Sequence, residues 1–163
     1  MKKLIVLFLI SFIFIGCSSR GINIYIPAKD YKYLTNIKVY DKRKDPQLIG
    51  YIYSNSKIVA DITLSTDISK LIKEEIAKRG LKKSLEIYIE KLFVNYNRSK
   101  IAKENTKAIF IAKIIFYKNG HKISKTIKIE ESKWINPIKS SKLLGEFIKN
   151  IIAEGVNTIL ETI

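Results

Sequence analysis

The first part of the chain alternates apolar and polar residues with the period of two that β-strands show. Residues 22–26 form the first such run, before a proline, and residues 34–40 form the second. Two further runs, 48–53 and 58–64, are separated by the turn-forming residues 54–56. The pattern therefore predicts two strands followed by a β-hairpin.

An amphipathic helix is predicted over residues 67–79. Thr66 or Asp67 supplies an N-cap, and Gly80 provides the left-handed conformation that ends many helices. One apolar stripe has the spacing i, i+3, i+4, i+8 of a helix face, and it consists of Ile68, Leu71, Ile72 and Ile76.

A long strand is predicted after residue 84, with a change of phase in its middle. Its apolar positions move from odd to even numbers after Ile89, so a β-bulge is expected near Glu90 and Lys91. Asn119-Gly120 then predicts a tight hairpin, because both residues tolerate the positive φ of a type I′ turn.

Counting outward from that turn predicts which residues face each other across the hairpin. One face is apolar, with the pairs Phe116–Ile123, Ala112–Ile127 and Phe110–Ile129. The other face places Ile111 and Ile115 opposite the polar residues Ser124, Thr126 and Lys128, so it is expected to be half wet.

The last element is a long helix from about Ser140 to Thr162, after the strand-breaking pair Asn136-Pro137. Its apolar stripe is wide enough to cover a sheet. The order of elements predicts an α+β fold, a two-layer sandwich in which a mainly antiparallel sheet is packed by two helices. From residue 22 to residue 163 the chain has no linker or repeat, which predicts a single domain.

Composition excludes several classes of protein. The 163 residues include one cysteine, so no intramolecular disulfide, zinc finger or thiolate cluster can form. The formal net charge of +15 suggests nucleic acid or an anionic membrane as a partner. Nearly all the basic residues are lysines, with arginine only at positions 20, 43, 79 and 98, which argues against nucleic acid because arginine dominates phosphate and base recognition.

The N-terminus has the layout of an export signal. Two lysines precede an apolar run from Leu4 to Ile15, and small Gly16 follows. The run is 12 residues long, short of the ~20 that span a bilayer as a helix. Residues 1–16 are therefore predicted to be a signal peptide that is cleaved between Gly16 and Cys17.

The segment around Gly16 and Cys17 resembles a bacterial lipobox, which implies that Cys17 is acylated and becomes the mature N-terminus. Several acyl chains on one residue give stable membrane anchoring. The residue after the cysteine is Ser18, and in Gram-negative lipoproteins a residue other than aspartate there implies transfer to the outer membrane. Residues 17–21 would then be a short lipidated tether, with the domain at 22–163 facing the periplasm.

Candidate catalytic chemistry is sparse. The sole histidine, His121, lies at the rim of the predicted Asn-Gly turn, and no cluster of His, Cys, Asp and Glu has metal-ligand spacing. The one polar feature that stands out is Asp41 with Arg43 at a strand end, where Asp41 either caps the turn and pairs with Arg43 or belongs to a binding site. No catalytic residue, metal or cofactor is expected.

The segment from Lys38 to Gly80 resembles the YajG family of bacterial envelope lipoproteins. The points of similarity are Asp41 and Arg43 at a strand end, Ile49-Gly50, Ile58-Val59, the helix start at Asp67 and its end at Gly80. The later long strand, hairpin and C-terminal helix follow in the same order. More distantly, the order of strands and helices resembles the auxiliary lipoproteins of envelope lipid transporters.

The sequence therefore predicts a non-enzymatic, membrane-anchored accessory or binding module, attached to membrane lipid through acylated Cys17. Its expected partner is an envelope protein or a second copy of the chain, and not nucleic acid. The alternative is a carrier or sensor of a lipid or cell-wall fragment, such as an auxiliary lipoprotein of a lipid transport system.

Overall fold

The computed structural model of the protein describes residues 21–81, 83–100 and 104–163. The predicted signal peptide with Gly16, and Cys17 itself, lie outside the described residues. Seven strands and two α-helices make up the described part of the chain. In chain order they are β1 (Ile22–Ile24), β2 (Ile37–Asp41), β3 (Leu48–Ser54), β4 (Lys57–Leu64), α1 (Ile68–Lys78), β5 (Leu85–Asn97), β6 (Thr106–Lys118), β7 (His121–Lys133) and α2 (Ser140–Thr162), which a 3-10 turn at Pro137–Lys139 precedes.

All seven strands belong to one open, mixed sheet. The order is β1-β4-β3-β5-β6-β7, and β2 pairs with β5 in line with β3. The pairs β3–β4, β5–β6 and β6–β7 are antiparallel, whereas β1–β4, β2–β5 and β3–β5 are parallel. The α+β two-layer prediction is confirmed, and the parallel pairs are an addition that the sequence pattern did not predict.

The β6–β7 hairpin has the predicted turn and register. Asn119 and Gly120 have φ angles of 53° and 80°, and the pair Phe116–Ile123 lies directly beyond them. The register of β5 against β6 shifts between Ile89 and Lys91, where the bulge was predicted. The shift returns the apolar residues of β5 to one face of the sheet.

Both helices cover the same face of the sheet. Asp67 caps α1 by accepting a hydrogen bond from the backbone of Ser69 at 2.8 Å, and Gly80 follows the helix with a φ of 68°. The core between the layers contains the inward side chains of the strands and the apolar stripe of α2, which consists of Leu144, Phe147, Ile148, Ile151, Ile152, Val156 and Ile159.

A buried carboxylate links the two helices through an arginine. Glu75 of α1 is 8% exposed and accepts hydrogen bonds from Lys78 at 2.7 Å and Arg79 at 2.8 Å. Burial raises the pKa of Glu75, but the hydrogen bonds from Arg79 and Lys78 outweigh it and lower the pKa below its usual value. Arg79 also donates to Asn157 of α2 at 2.6 Å, so the ion pair fixes one helix against the other.

Two strand boundaries differ from the sequence pattern. The first strand ends at Ile24 because the backbone of Ile26 pairs with the Thr66 side chain, which donates to the Ile26 carbonyl at 2.7 Å and accepts from the Ile26 amide at 3.0 Å. The second strand begins at Ile37 and not at residue 34, because Leu34 takes part in consecutive turns, donating to Tyr31 and accepting from Ile37.

Two glycines of α2 give a matched stability test. A Cβ at Gly155 would lie 2.6 Å from two ring carbons of buried Phe110, whereas a Cβ at Gly145 would make an ordinary 3.4 Å contact with Ile24. Either alanine improves helix propensity by about 1 kcal/mol. We expect Gly145→Ala to raise the denaturant midpoint and Gly155→Ala to lower stability by about 1–3 kcal/mol through overpacking. Equal midpoints for the two variants would contradict the placement of α2 on the sheet.

Candidate binding surface

The sheet face opposite the helices carries a row of half-buried or exposed apolar side chains, and no other described element of the chain covers it. We call this surface the open face and define it by the outward side chains of Tyr40, Tyr51, Tyr88, Phe93, Ile109, Ile111 and Ile115. Its residues alternate along each strand with residues that point into the core, as in Ile109, Phe110 and Ile111. Ile111 and Ile115 are half-buried, as the sequence predicted, and they lie opposite Lys128 and Ser124.

Two aromatic pairs extend the open face across β5. Tyr40 of β2 stacks on Tyr88 with ring centroids 5.0 Å apart, and the ammonium of Lys42 lies 5.8 and 5.9 Å from the two rings. Tyr51 of β3 meets Phe93 edge-on at 5.7 Å. Aromatic side chains are the residue type enriched at protein interfaces, since they bury large area with few rotatable bonds.

Sequence reasoning missed these aromatic pairs. Tyr88 and Phe93 occupy outward positions of β5, where the alternation pattern leads one to expect polar residues, so two aromatic residues there are a signal that the sequence does contain. Their partners Tyr40 and Tyr51 come from two different strands, and both reach β5 only because β2 and β3 lie end to end along it. The paired residues of these parallel strands are 40 or more positions apart in the sequence. Patterns within a short window of sequence contain no information about such pairing.

The β7 side of the open face is charged. Glu130 forms ion pairs with Lys107 and with Lys128, the latter at 2.8 Å. The hydrogen bonds from Lys107 and Lys128 lower the pKa of Glu130 to about 2. The open face is therefore an apolar centre with a polar border on this side, which is the usual layout of a protein interface.

Asp41 and Arg43 lie at the joint between β2 and β3, beside the bulge of β5. The Arg43 guanidinium donates to both carboxylate oxygens of Asp41, with its Nε at 2.9 and 3.2 Å and its Nη2 at 2.7 Å, and Nη2 also donates to the Pro46 carbonyl at 2.7 Å. The Asp41 carboxylate also accepts from the Arg43 amide at 3.1 Å. These bonds close the turn, so of the two roles predicted for Asp41 and Arg43 the geometry fits the structural one, in which the pair stabilises the turn.

A shallow groove of about 670 Å³ runs from this turn to the open face. Its walls include Arg43, Pro46, Tyr51, Glu90 and Phe93. The Arg43 side chain is 6% exposed, and its Nη1 atom is buried without a hydrogen-bond partner. The groove combines apolar walls with both signs of charge, since Lys44, Lys91, Asp45 and Glu90 line it too.

Among residues 21–81, 83–100 and 104–163, no group of three or more His, Cys, Asp or Glu side chains could hold a metal ion. His121 is exposed beside the Asn119-Gly120 turn. None of the helices in this part of the chain is long and apolar enough to cross a membrane.

Comparison with known proteins gives distant structural similarity. No family model matches the chain, and no curated protein matches it. A solved structure described as an uncharacterized protein shares 8% identity with a TM-score of 0.45, covering 86% of this chain and 98% of its own. Protein XCC0632 from Xanthomonas campestris, of the family DUF330, shares 8% identity with a TM-score of 0.47, covering 87% of this chain and 95% of its own. The chain is thus similar to proteins without a named activity, and neither of the two carries the name YajG.

Proposed function

We propose that the protein is a non-enzymatic accessory lipoprotein of the Gram-negative envelope that binds another protein of the envelope, or a second copy of itself, through the open face. The observation that carries the proposal is the one-sided placement of the helices. On the other side of the sheet it leaves three half-buried isoleucines and two aromatic pairs that are half-buried except for exposed Tyr40. Contiguous apolar patches of this kind mark interaction sites in soluble domains.

The proposed location rests on the N-terminal sequence. The lipobox resemblance at Gly16-Cys17 supports acylation, and Ser18 supports residence in the outer membrane. The similarity of Asp41, Arg43, Ile49-Gly50 and the helix from Asp67 to Gly80 supports membership of the YajG family. We include that membership in the proposal.

The groove beside Arg43 favours a second candidate function. A cavity of about 670 Å³ falls within the size range of small-ligand sites, so a carrier or sensor of a lipid or cell-wall fragment is the alternative. An auxiliary lipoprotein of a lipid transport system would be one such protein. We rank the carrier second for two reasons. The groove is shallow, and the one polar atom there without a hydrogen-bond partner, Nη1 of Arg43, is buried and therefore out of reach of a ligand in the groove.

The test is co-purification from gently solubilised envelopes, with mass spectrometry of both proteins and extracted small molecules. The double variant Ile111→Ser with Ile115→Ser should reduce a co-purified partner more than about tenfold, because central interface residues each contribute about 1–2 kcal/mol or more. Leu160→Ser is the control, since Leu160 is also half-buried but lies on α2, which packs on the covered face of the sheet.

Each variant must first show a cooperative melt, so that lost binding is separated from lost folding. A stoichiometric lipid or glycan without any protein partner would contradict the interface and favour the carrier. A partner retained equally by the double variant and the control would also contradict it.

A further inference from the structure

Three connections of the chain meet at one end of the sheet, which we call the β3–β4 end. They are the β3–β4 turn, residues 98–100 and 104–105 of the β5–β6 connection, and the segment from β7 to α2. Ser99 bonds the turn at Ser54 with a 2.8 Å contact between hydroxyls, and Asn105 exchanges hydrogen bonds of 2.7 and 2.8 Å with the backbone of Ile135. These bonds make the three connections one surface.

The β3–β4 end exposes large apolar side chains that the fold does not use. Ile138 is 91% exposed, Ile58 is 55% exposed and Trp134 is 45% exposed. Tryptophan is enriched at the boundary between lipid headgroups and acyl chains, and the exposed isoleucine Ile138 lies in the same connection, between β7 and α2. Neither Trp134 nor Ile138 belongs to the open face, so the proposed partner site does not account for them.

The charge of the same end suits an anionic surface. The described residues of the three connections include three exposed basic side chains and one acidic side chain, Glu104, and the first residue of β4 adds a fourth exposed basic side chain. The basic residues are Lys57, Arg98, Lys100 and Lys139. Basic residues next to a bilayer are attracted by acidic lipid headgroups.

The start of the domain restricts which end can reach a membrane. Gly21 lies against the backbone of Asp61, and β1 runs parallel to β4, so the chain enters β1 from the β3–β4 end. Lys57 begins β4 four residues before Asp61, a distance of about 13 Å along the strand. Cys17 precedes Gly21 by the same four residues, which span at most about 14 Å.

An acyl chain on Cys17 can therefore reach the level of the β3–β4 end but not the opposite end of the sheet. That opposite end begins at Leu85, about 30 Å along β5 from Val94, which lies at the level of Gly50 and Ile62. The tether and the exposed apolar and basic residues thus select the same surface.

We propose that the β3–β4 end rests on an anionic bilayer, with Trp134 and Ile138 among the headgroups and Lys57 and Lys139 near the lipid phosphates. The inference rests on the proposed acylation of Cys17. It also gives that anchor an orientation, because a domain standing on this end presents the open face sideways, where a partner in the periplasm can reach it.

Trp134 is the only tryptophan of the chain and reports on this contact directly. The acylated protein is reconstituted into vesicles containing phosphatidylglycerol and a phosphatidylcholine brominated near the top of its acyl chains. We expect bromine quenching and a blue shift of Trp134 emission. Ile138→Ser should remove most of the quenching. Because the Ile138 side chain is 91% exposed, the substitution should not unfold the domain, so a loss of quenching would report lost membrane contact.

A matched reporter at the far end supplies the control. Tyr117, near the β6–β7 turn, is 65% exposed, so Tyr117→Trp combined with Trp134→Phe places a single tryptophan there. This reporter should remain unquenched. An acylated protein with unquenched Trp134, or with equal quenching at both positions, would overturn the orientation while leaving the anchor intact.

Protein without acyl chains separates the two proposals. If mass spectrometry finds Cys17 unmodified, the anchor fails, and the same vesicles are then mixed with that protein at low salt. Quenching of Trp134 that weakens with salt, and a partition about fivefold weaker for Lys139→Gln, would support the surface by itself. No quenching under these conditions would overturn it.

Discussion

Removal of residues 137–163 should leave a chain that does not fold cooperatively. The deletion removes α2 and exposes the sheet face that contains Phe110, Phe116 and Ile127. Seven large apolar side chains of α2 are buried, and burial of each contributes about 1.5–3 kcal/mol, so the loss is roughly 10–20 kcal/mol. That exceeds the 5–15 kcal/mol typical of a whole domain. Thermal melts of the full and the shortened chain, followed by circular dichroism, will show whether each unfolds cooperatively.

A single-residue version keeps the protein intact. Ile148 of α2 is fully buried, and Ile148→Ala should lower the free energy of unfolding by about 2–5 kcal/mol. Glu146 of the same helix is exposed, so Glu146→Ala should change it by no more than about 0.5 kcal/mol. A truncated chain that stayed soluble with a cooperative melt would refute the packing of α2 on the sheet.

Cys17→Ser should abolish acylation and, with it, the lipid anchor of the mature protein. Without the thiol no acyl chain can be added, and anchoring by lipidation requires more than one chain. The variant should appear as unprocessed precursor or as protein released from membranes by a high-salt wash, with no acyl mass. The wash matters because the basic β3–β4 end is proposed to hold the domain weakly on acidic lipids.

Two neighbouring serines provide controls for the anchor. Ser19→Ala should remain acylated and membrane-bound, while Ser18→Asp should remain acylated but fractionate with the inner membrane. If Cys17→Ser still carries a normal lipid modification on washed membranes, the lipobox assignment is wrong. If Ser18→Asp stays in the outer membrane, the sorting interpretation is wrong and the anchor stands.

Features controlled by neighbouring residues agree with their sequence patterns. The Asn119-Gly120 turn, the register of its hairpin and the bulge near Glu90 follow from local φ preferences and from alternation within a strand. The bounds of α2, Ser140–Thr162, agree with its apolar periodicity. Hairpins and helices bring together residues that are close in sequence, so short windows contain the information that specifies them.

Features that depend on distant residues differ from the pattern or were not predicted. The alternation of residues 22–26 continues past Ile24, but the Thr66 side chain takes the hydrogen bonds of Ile26, 40 residues away. Nothing near Ile26 in the sequence signals that competition. The parallel pairing of β2 and β3 with β5 also joins residues that are distant in sequence, so it was not predicted either.

The features of the candidate surfaces also fall into these two groups, those that local sequence specifies and those that depend on the fold. Local sequence is enough to place Ile111 and Ile115 opposite polar residues of β7, because the Asn119-Gly120 turn sets the register of the hairpin. Local sequence also places the lone cysteine after an apolar run and Gly16, four residues before Gly21. In contrast, the alignment of β2 and β3 along β5, which brings Tyr40 to Tyr88 and Tyr51 to Phe93, is visible only in the folded protein. The same holds for the end of the sheet that Trp134 and Ile138 share with the start of the domain. Strand order and parallel pairing arise from the burial of one common core, and no local window of sequence contains that constraint.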